Sequence, residues 1–309
     1  MKKPNKIKVE LTKFFLKRFN KEKYQLYKQK IKDDSLVYNF ENSFRTKIES
    51  IQTVLQEKQV INFKHSGHMG DLIYALPVIK EIAKIKKCNL YIRTNHSLGK
   101  KGYYKHPSGN VMISQRMYNM VVPLLENQEY INKVSSWNNE SIDIDLDLFR
   151  EFPFTNDFHS VRWYYHITGQ FPDMNLPSIH VDSIDKFSDK IAVVRTFRGR
   201  NPLVSYSFLK DYKNILFLGT KDEFDDFKIT VPNAEFYDVK DFLELAQIMK
   251  SVKFVITNQT FAFALAECLK INRILEANPF IPAVFPIGGK GVDFYFQNQF
   301  EKFVKEFND

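Results

Sequence analysis

The stretch of the chain with the most chemical potential is His65-Ser66-Gly67-His68-Met69-Gly70-Asp71. It places two imidazoles, a carboxylate and two glycines between a strand-like run at 60–64 and a helical run from Asp71 to about residue 87. Gly67 and Gly70 let the backbone turn tightly and approach a ligand with no Cβ in the way. A helix that starts there presents unpaired N–H groups and the positive end of its dipole, which suits an anion. The turn also lies at the carboxyl end of a strand, where open α/β sheets bind ligands. Asp71, His68 and His65 are therefore candidate proton acceptors. An ordinary glycine-containing turn with Asp71 as a helix-start residue accounts for the same pattern. As a dinucleotide fingerprint the turn fails, because His65 replaces the first glycine and Arg93 stands where a ribose-binding acid is needed.

Two later turns share this logic. Arg195-Thr196-Phe197-Arg198-Gly199-Arg200 packs three arginines into six residues after a predicted strand, the pattern of a phosphate clamp. Asn258-Gln259-Thr260 follows a strand and precedes a helix with Ala262, Ala264 and Ala266. Asn258 or Thr260 would cap that helix, and a diphosphate bound there would gain hydrogen bonds and dipole. Plain capping explains the same residues. Asp143, Asp145 and Asp147 alternate, which in a strand puts all three on one face; their spacing is not that of a calcium loop, so no metal site is expected. There is no HExxH and no GxSxG, so zinc-protease and serine-hydrolase chemistry has no support.

The elements that carry these turns alternate between strands and helices, which argues parallel sheets. Helices are expected over 7–32, 43–57, 115–126, 205–212, 221–227, 241–250, 260–269 and 292–307. Strands are expected at 89–93, 131–136, 142–148, 191–195, 215–218, 234–237, 254–257 and 273–275. The pattern lapses over 151–182, so the connection between the two halves falls near 175–188. The expected organisation is a basic helical arm at 1–57, a first Rossmann-like unit at 58–180, a second at 181–290, and a terminal helix at 291–309.

The formal charge of +9 is unevenly placed. Residues 1–32 hold twelve Lys/Arg against two Glu, a local net of +10, so the other 277 residues sum to −1. The basicity belongs to the arm, which suits an anionic membrane surface or nucleic acid, with a solvated helix face as the plain alternative; no specific nucleic acid is expected for the near-neutral body. The two cysteines, Cys88 and Cys268, are far apart and lie in apolar segments, as expected for buried thiols in a reducing compartment. With no apolar run long enough to span a bilayer and no signal peptide, a cytoplasmic protein is expected, peripheral to a membrane through its arm.

On the residues Gly67-His68-Met69-Gly70-Asp71-Leu72-Ile73-Tyr74-Ala75-Leu76-Pro77, the chain resembles the heptosyltransferase-like glycosyltransferases of GT-B fold. Their Asp–Leu strand is similar to Ile144-Asp145-Leu146, and their Asp-Thr-Gly helix start to Asn258-Gln259-Thr260. The chain departs from the pattern with Asn258 in place of an acid and Phe263 in place of a histidine. The resemblance implies two Rossmann-like domains with parallel sheets facing a cleft, and an inverting transfer from a nucleoside-diphosphate sugar to an acceptor hydroxyl of a cell-surface glycan or glycolipid. It implies no cofactor and no metal. Asp71 would take the acceptor proton, with His68 or His65 as alternatives, because a carboxylate in a helix first turn is stabilised as the anion. Arg195, Thr196, Arg198, Asn258, Gln259 and Thr260 would hold the donor diphosphate, and Glu276 its ribose or sugar hydroxyls. The competing expectation is a catalytically silent nucleotide-sugar-binding or membrane-tethered scaffold of the same fold; a nicotinamide oxidoreductase is disfavoured by the failed fingerprint.

Overall fold

The computed structural model describes residues 6–98, 109–154, 158–280 and 283–309. Three helices, α1 (Lys6–Phe19), α2 (Lys21–Asn39) and α3 (Arg45–Glu57), precede the first strand. The single helix expected over 7–32 breaks at Asn20, whose side chain accepts from the Lys23 amide at 2.9 Å and so starts a new helix. α2 continues into α3 through a π-helical turn, Phe40–Phe44. Phe44 is buried there, edge-on to Phe152 with ring centroids 5.5 Å apart. Buried Ile51 and a hydrogen bond from Gln52 Nε2 to the Thr168 carbonyl at 3.0 Å fasten α3 to the body.

The first sheet contains β1 (Val60–His65), β2 (Lys87–Ile92), β3 (Lys133–Ser136) and β4 (Ile144–Asp145), with helices α4 (Met69–Ala83) and α5 (Gln115–Glu126) between them. The strands are parallel in the order β3-β2-β1-β4. β1 lies between β2 and β4, so the sheet changes winding direction there and a crevice opens at the carboxyl ends of β1 and β4. The strand expected over 142–148 shrinks to two residues. Asp145 accepts from the Asp147 amide at 3.1 Å and turns the chain into a 3-10 helix, Leu146–Glu151. The three aspartates therefore do not share one strand face. Helix α6 (Val161–Thr168), in the stretch where the sequence pattern lapses, ends at Gly169 with φ +69°.

The second sheet contains β5 (Ile191–Val194), β6 (Ile215–Leu218), β7 (Glu235–Tyr237), β8 (Phe254–Asn258), β9 (Arg273–Glu276) and β10 (Gly291–Phe294). Helices α7 (Lys221–Thr230), α8 (Phe242–Ser251) and α9 (Phe261–Leu269) connect its strands, and α10 (Gln297–Asn308) closes the chain. All pairings are parallel, in the order β10-β9-β8-β5-β6-β7. Here the winding reverses at β5 and β8, which again opens a crevice at their carboxyl ends. The central strands are buried on both faces, as a parallel sheet requires. Ala192 and Val194 join the core that continues into the first half, whereas Ile191 and Val193 pack with Phe217, Phe254 and Phe300 on the other side. The terminal helix expected over 292–307 is instead β10 followed by α10, and the helix expected over 205–212 is a 3-10 turn, Ser207–Asp211.

α4 packs against α9, so the two halves share one apolar core. Cys268 Sγ lies 3.6 Å from the Ile73 carbonyl oxygen across this seam. Burial pushes the Cys88 and Cys268 thiols up to about 12, which removes them as nucleophiles near neutrality. Behind α9, buried Glu267 accepts from Arg273 Nε at 2.7 Å, while the same guanidinium donates to the carbonyls of Ile287 and Gly288 at 3.0 and 2.9 Å. Removing one member of a buried pair strands the other charge. Glu267→Ala is expected to lower unfolding stability by about 3–5 kcal/mol, read as a shifted urea midpoint.

Candidate functional site

The two crevices meet at the start of α4 and the start of α9. A Cβ added to Gly70 would stand 3.7 Å from Phe261 Cα, so the first turn of one helix touches the first turn of the other. His68 has extended backbone and caps α4 by position, which puts Asp71 three residues later in its first turn. Leu72 closes the first helical hydrogen bond to the His68 carbonyl at 3.1 Å.

Asp71 does not stand alone. Arg150 Nη2 donates to its Oδ2 at 2.8 Å, and Tyr164 Oη donates to its backbone carbonyl at 2.7 Å. Arg150 also lies 3.5 Å from Asp147, whose Oδ2 accepts from both the amide and the hydroxyl of Ser66 at 2.6 Å. The chain Ser66–Asp147–Arg150–Asp71 thus ties the loop after β1 to the 3-10 helix after β4. Burial opposes ionisation of Asp147, but the Ser66 bonds and the Arg150 charge outweigh it and hold its pKa below the ordinary carboxylate value. Burial likewise works against the charge on Arg150, and Asp71 and Asp147 more than restore it. A Cβ on Gly67 would fall 2.5 Å from Arg150 Nη2, so this glycine makes room for the guanidinium.

The two histidines of the turn separate. His65 is fully buried, with both ring nitrogens lacking a hydrogen-bond partner, and burial pushes its pKa down against the pull of Asp147 and Asp71. It sits behind the loop and cannot reach a substrate proton, a correction to its place among the candidate bases. His68 is half-buried and faces the cleft charges. Its pKa is lowered mainly by burial, with Asp71 opposing and Arg198 and Arg150 assisting, so its ring is neutral near pH 7.

On the second sheet the expected donor residues also divide. Glu276 is fully buried: it accepts from Arg195 Nε and Nη2 at 2.7 and 2.8 Å, from Tyr206 Oη at 2.8 Å and from the Asn201 amide at 2.6 Å. With its oxygens engaged inside the protein, it has no face for ribose or sugar hydroxyls. Arg195, stacked 4.2 Å over Tyr206, is likewise committed to that buried pair and is not a diphosphate clamp. Arg200 turns to Asp226 at 2.7 Å. Of the three arginines, Arg198 is the one whose charge bears on His68.

Asn258 is buried and binds the loop rather than capping α9. Its Oδ1 accepts from the Thr196 amide at 3.2 Å, and its Nδ2 donates to the carbonyls of Thr196 and Arg198 at 3.1 and 2.7 Å. Thr260 is the residue at the cap position, with extended backbone, and Gln259 and Thr260 are half-buried at the mouth of α9. Sequence reasoning missed Arg150, Asp147, Ser66 and Tyr164. The only available signal was Asp147, read there as part of a polar strand face. Among the described residues no group of three His, Cys, Asp or Glu side chains is placed to hold a metal ion.

Parallel sheets with their switch points turned to a common cleft define the GT-B class of fold. No protein-family model and no curated protein matches the sequence. Among solved structures, the glycosyl transferase family 9 protein of Veillonella parvula superposes with a TM-score of 0.51 at 12% identity, over 80% of this chain and 89% of that one. The E. coli ADP-heptose LPS heptosyltransferase II superposes with a TM-score of 0.51 at 9% identity, over 81% and 98%. The chain has the fold of these glycosyltransferases.

Two substitutions test the loop. A methyl group at Gly67 must displace Arg150, so Gly67→Ala is expected to cost about 1–3 kcal/mol. Gly70→Ala makes only an ordinary contact and gains helix propensity of up to about 1 kcal/mol; urea unfolding ranks the two. For His65, both states are neutral above 6.5. Below that value the unfolded chain takes up the proton and the native one does not, so stability falls with pH at up to about 1.4 kcal/mol per unit until the native pKa is reached. His65→Phe is expected to flatten that slope below about pH 6.5, measured by urea unfolding at several pH values.

Proposed function

We propose that the protein is a glycosyltransferase that moves a sugar from a nucleoside-diphosphate sugar to an acceptor hydroxyl, by inverting displacement without a metal. The observation that carries this reading is the meeting of α4 and α9 at their N-termini, with Asp71 held by Arg150 and with Arg198 near enough for its charge to act on His68. The shared fold with the E. coli enzyme named for ADP-heptose supports a nucleotide sugar as donor.

In the proposed reaction Asp71 accepts the proton of the acceptor hydroxyl as that oxygen bonds to the anomeric carbon. The bond from the anomeric carbon to the β-phosphate oxygen breaks, and the nucleoside diphosphate leaves with an added negative charge. Backbone N–H groups at the start of α9, the α9 dipole and Arg198 would stabilise that charge. Arg150 is a positioning residue that fixes Asp71 Oδ2. Neutral His68 would bond the acceptor or relay the proton. The acceptor is a cell-surface glycan or glycolipid, met at the cytoplasmic face of a membrane to which the basic arm is drawn.

The test joins binding to turnover. Thermal shift against ADP, UDP, GDP and CDP and their sugars, with no metal added, is expected to raise Tm with one base by mass action. Asp71→Asn is expected to keep that shift while turnover drops about 100- to 10,000-fold. Flat traces at millimolar ligand would reject the transferase. A shift with no transfer would leave a binding protein, and near-normal turnover of Asp71→Asn would move the base to His68.

A further inference from the structure

We infer that α1 is an in-plane membrane anchor whose exposed aromatic face enters an anionic lipid bilayer and orients the cleft towards it. This rests on the arm's part in the reading above and adds insertion to simple electrostatic attraction. At 3.6 residues per turn, Ile7, Leu11, Phe14, Phe15 and Phe19 fall within an arc of about 140° on α1. All five are 56–75% exposed. The opposite arc, with Val9 buried and Leu16 half-buried, is the side that packs, and α2 is the helix α1 contacts. The outward apolar ridge is therefore not the unfinished half of that packing. A shallow groove of about 450 Å³ runs along it between Ile7, Lys8, Leu11, Thr12 and Phe15.

Charge selects the occupant. α1 carries five Lys/Arg against one Glu, with Lys17 and Arg18 in its last turn beside Phe19. Basic side chains whose stems lie along an apolar ridge can keep their heads among anionic headgroups while the ridge sinks below them. Nucleic acid would use the charge but leave the ridge in water. A second copy of this chain would cover the ridge but bring like charges together. An anionic bilayer satisfies both features at once. Among the described residues no helix is long and apolar enough to cross a membrane, so the fitting mode is to lie in the surface.

The anchor is mechanically linked to the chemistry. α2 runs through the Phe40–Phe44 turn into α3, α3 bonds the end of α6 through Gln52, and Tyr164 of α6 donates to the Asp71 carbonyl. The arm is thus attached to the half that carries Asp71, the side on which the acceptor must arrive.

The experiment is flotation of the full chain with phosphatidylglycerol-rich and with pure phosphatidylcholine vesicles, no nucleotide present, and sedimentation of the protein alone. The native chain is expected to float with the anionic vesicles and to be monomeric. The triple variant F14S/F15S/F19S is expected to bind them at least about 100-fold more weakly, with unchanged Tm and unchanged nucleotide-induced shift. Equal flotation of native and triple variant would overturn insertion and leave charge alone. No flotation of the native chain, or self-association abolished by the triple variant, would overturn the bilayer as occupant. Because nucleotide binding is read separately, a negative flotation result leaves the transferase reading to its own test.

Discussion

Two helix N-termini brought into contact present a physical difficulty that the rest of the cleft resolves. The positive ends of α4 and α9 face one another where Gly70 approaches Phe261, and like dipole ends repel unless negative charge lies between them. Asp71 supplies one resident anion, and Arg150 fixes where it points. Arg198 adds further positive charge near His68. In the proposed reaction, the donor diphosphate would bring further negative charge to these two helix starts.

Buried charge explains why two of the seven expected donor residues serve another purpose. A guanidinium and a carboxylate in the interior persist only when each satisfies the other with good geometry. Arg195 and Glu276 meet this condition in a two-point pair, completed by Tyr206 and the Asn201 amide. The pair clips the loop after β5 to the end of β9, and so determines the path along which Arg198 is presented. What sequence alone offered as two ligand contacts is one structural clamp, with Arg198 three residues farther on.

The parallel sheets, the two turns and the near-neutral body were legible because each depends on local pattern: apolar runs of strand length, glycine turns and charge counting. The helix over 115–126 matches its expected bounds for the same reason, with Ser114 capping it. Three features were not legible. The break at Asn20 depends on one side chain bonding its own backbone within a run that remains helical in composition. The shift of 146–151 into a 3-10 helix depends on Asp145 outcompeting strand pairing. The pairing of Arg150 with Asp71 spans 79 residues and is set by where β4 lies beside β1. Sequence periodicity carries no record of such long-range contacts, so the site's second carboxylate and its arginine were hidden in an aspartate ladder.

The amide at residue 258 follows from the same geometry. Asn258 Nδ2 donates to two carbonyl oxygens, those of Thr196 and Arg198. A carboxylate there would aim oxygen at oxygen in a buried place, which costs more than an unmade bond. The amide is the group this loop can hold, and by holding it Asn258 sets the turn from which Arg198 projects. Phe263, in the helix that follows, is fully buried in the shared core. Asn258 and Phe263 thus both serve the scaffold, and neither is bonded to Asp71, the residue on which proton transfer in the proposed reaction depends.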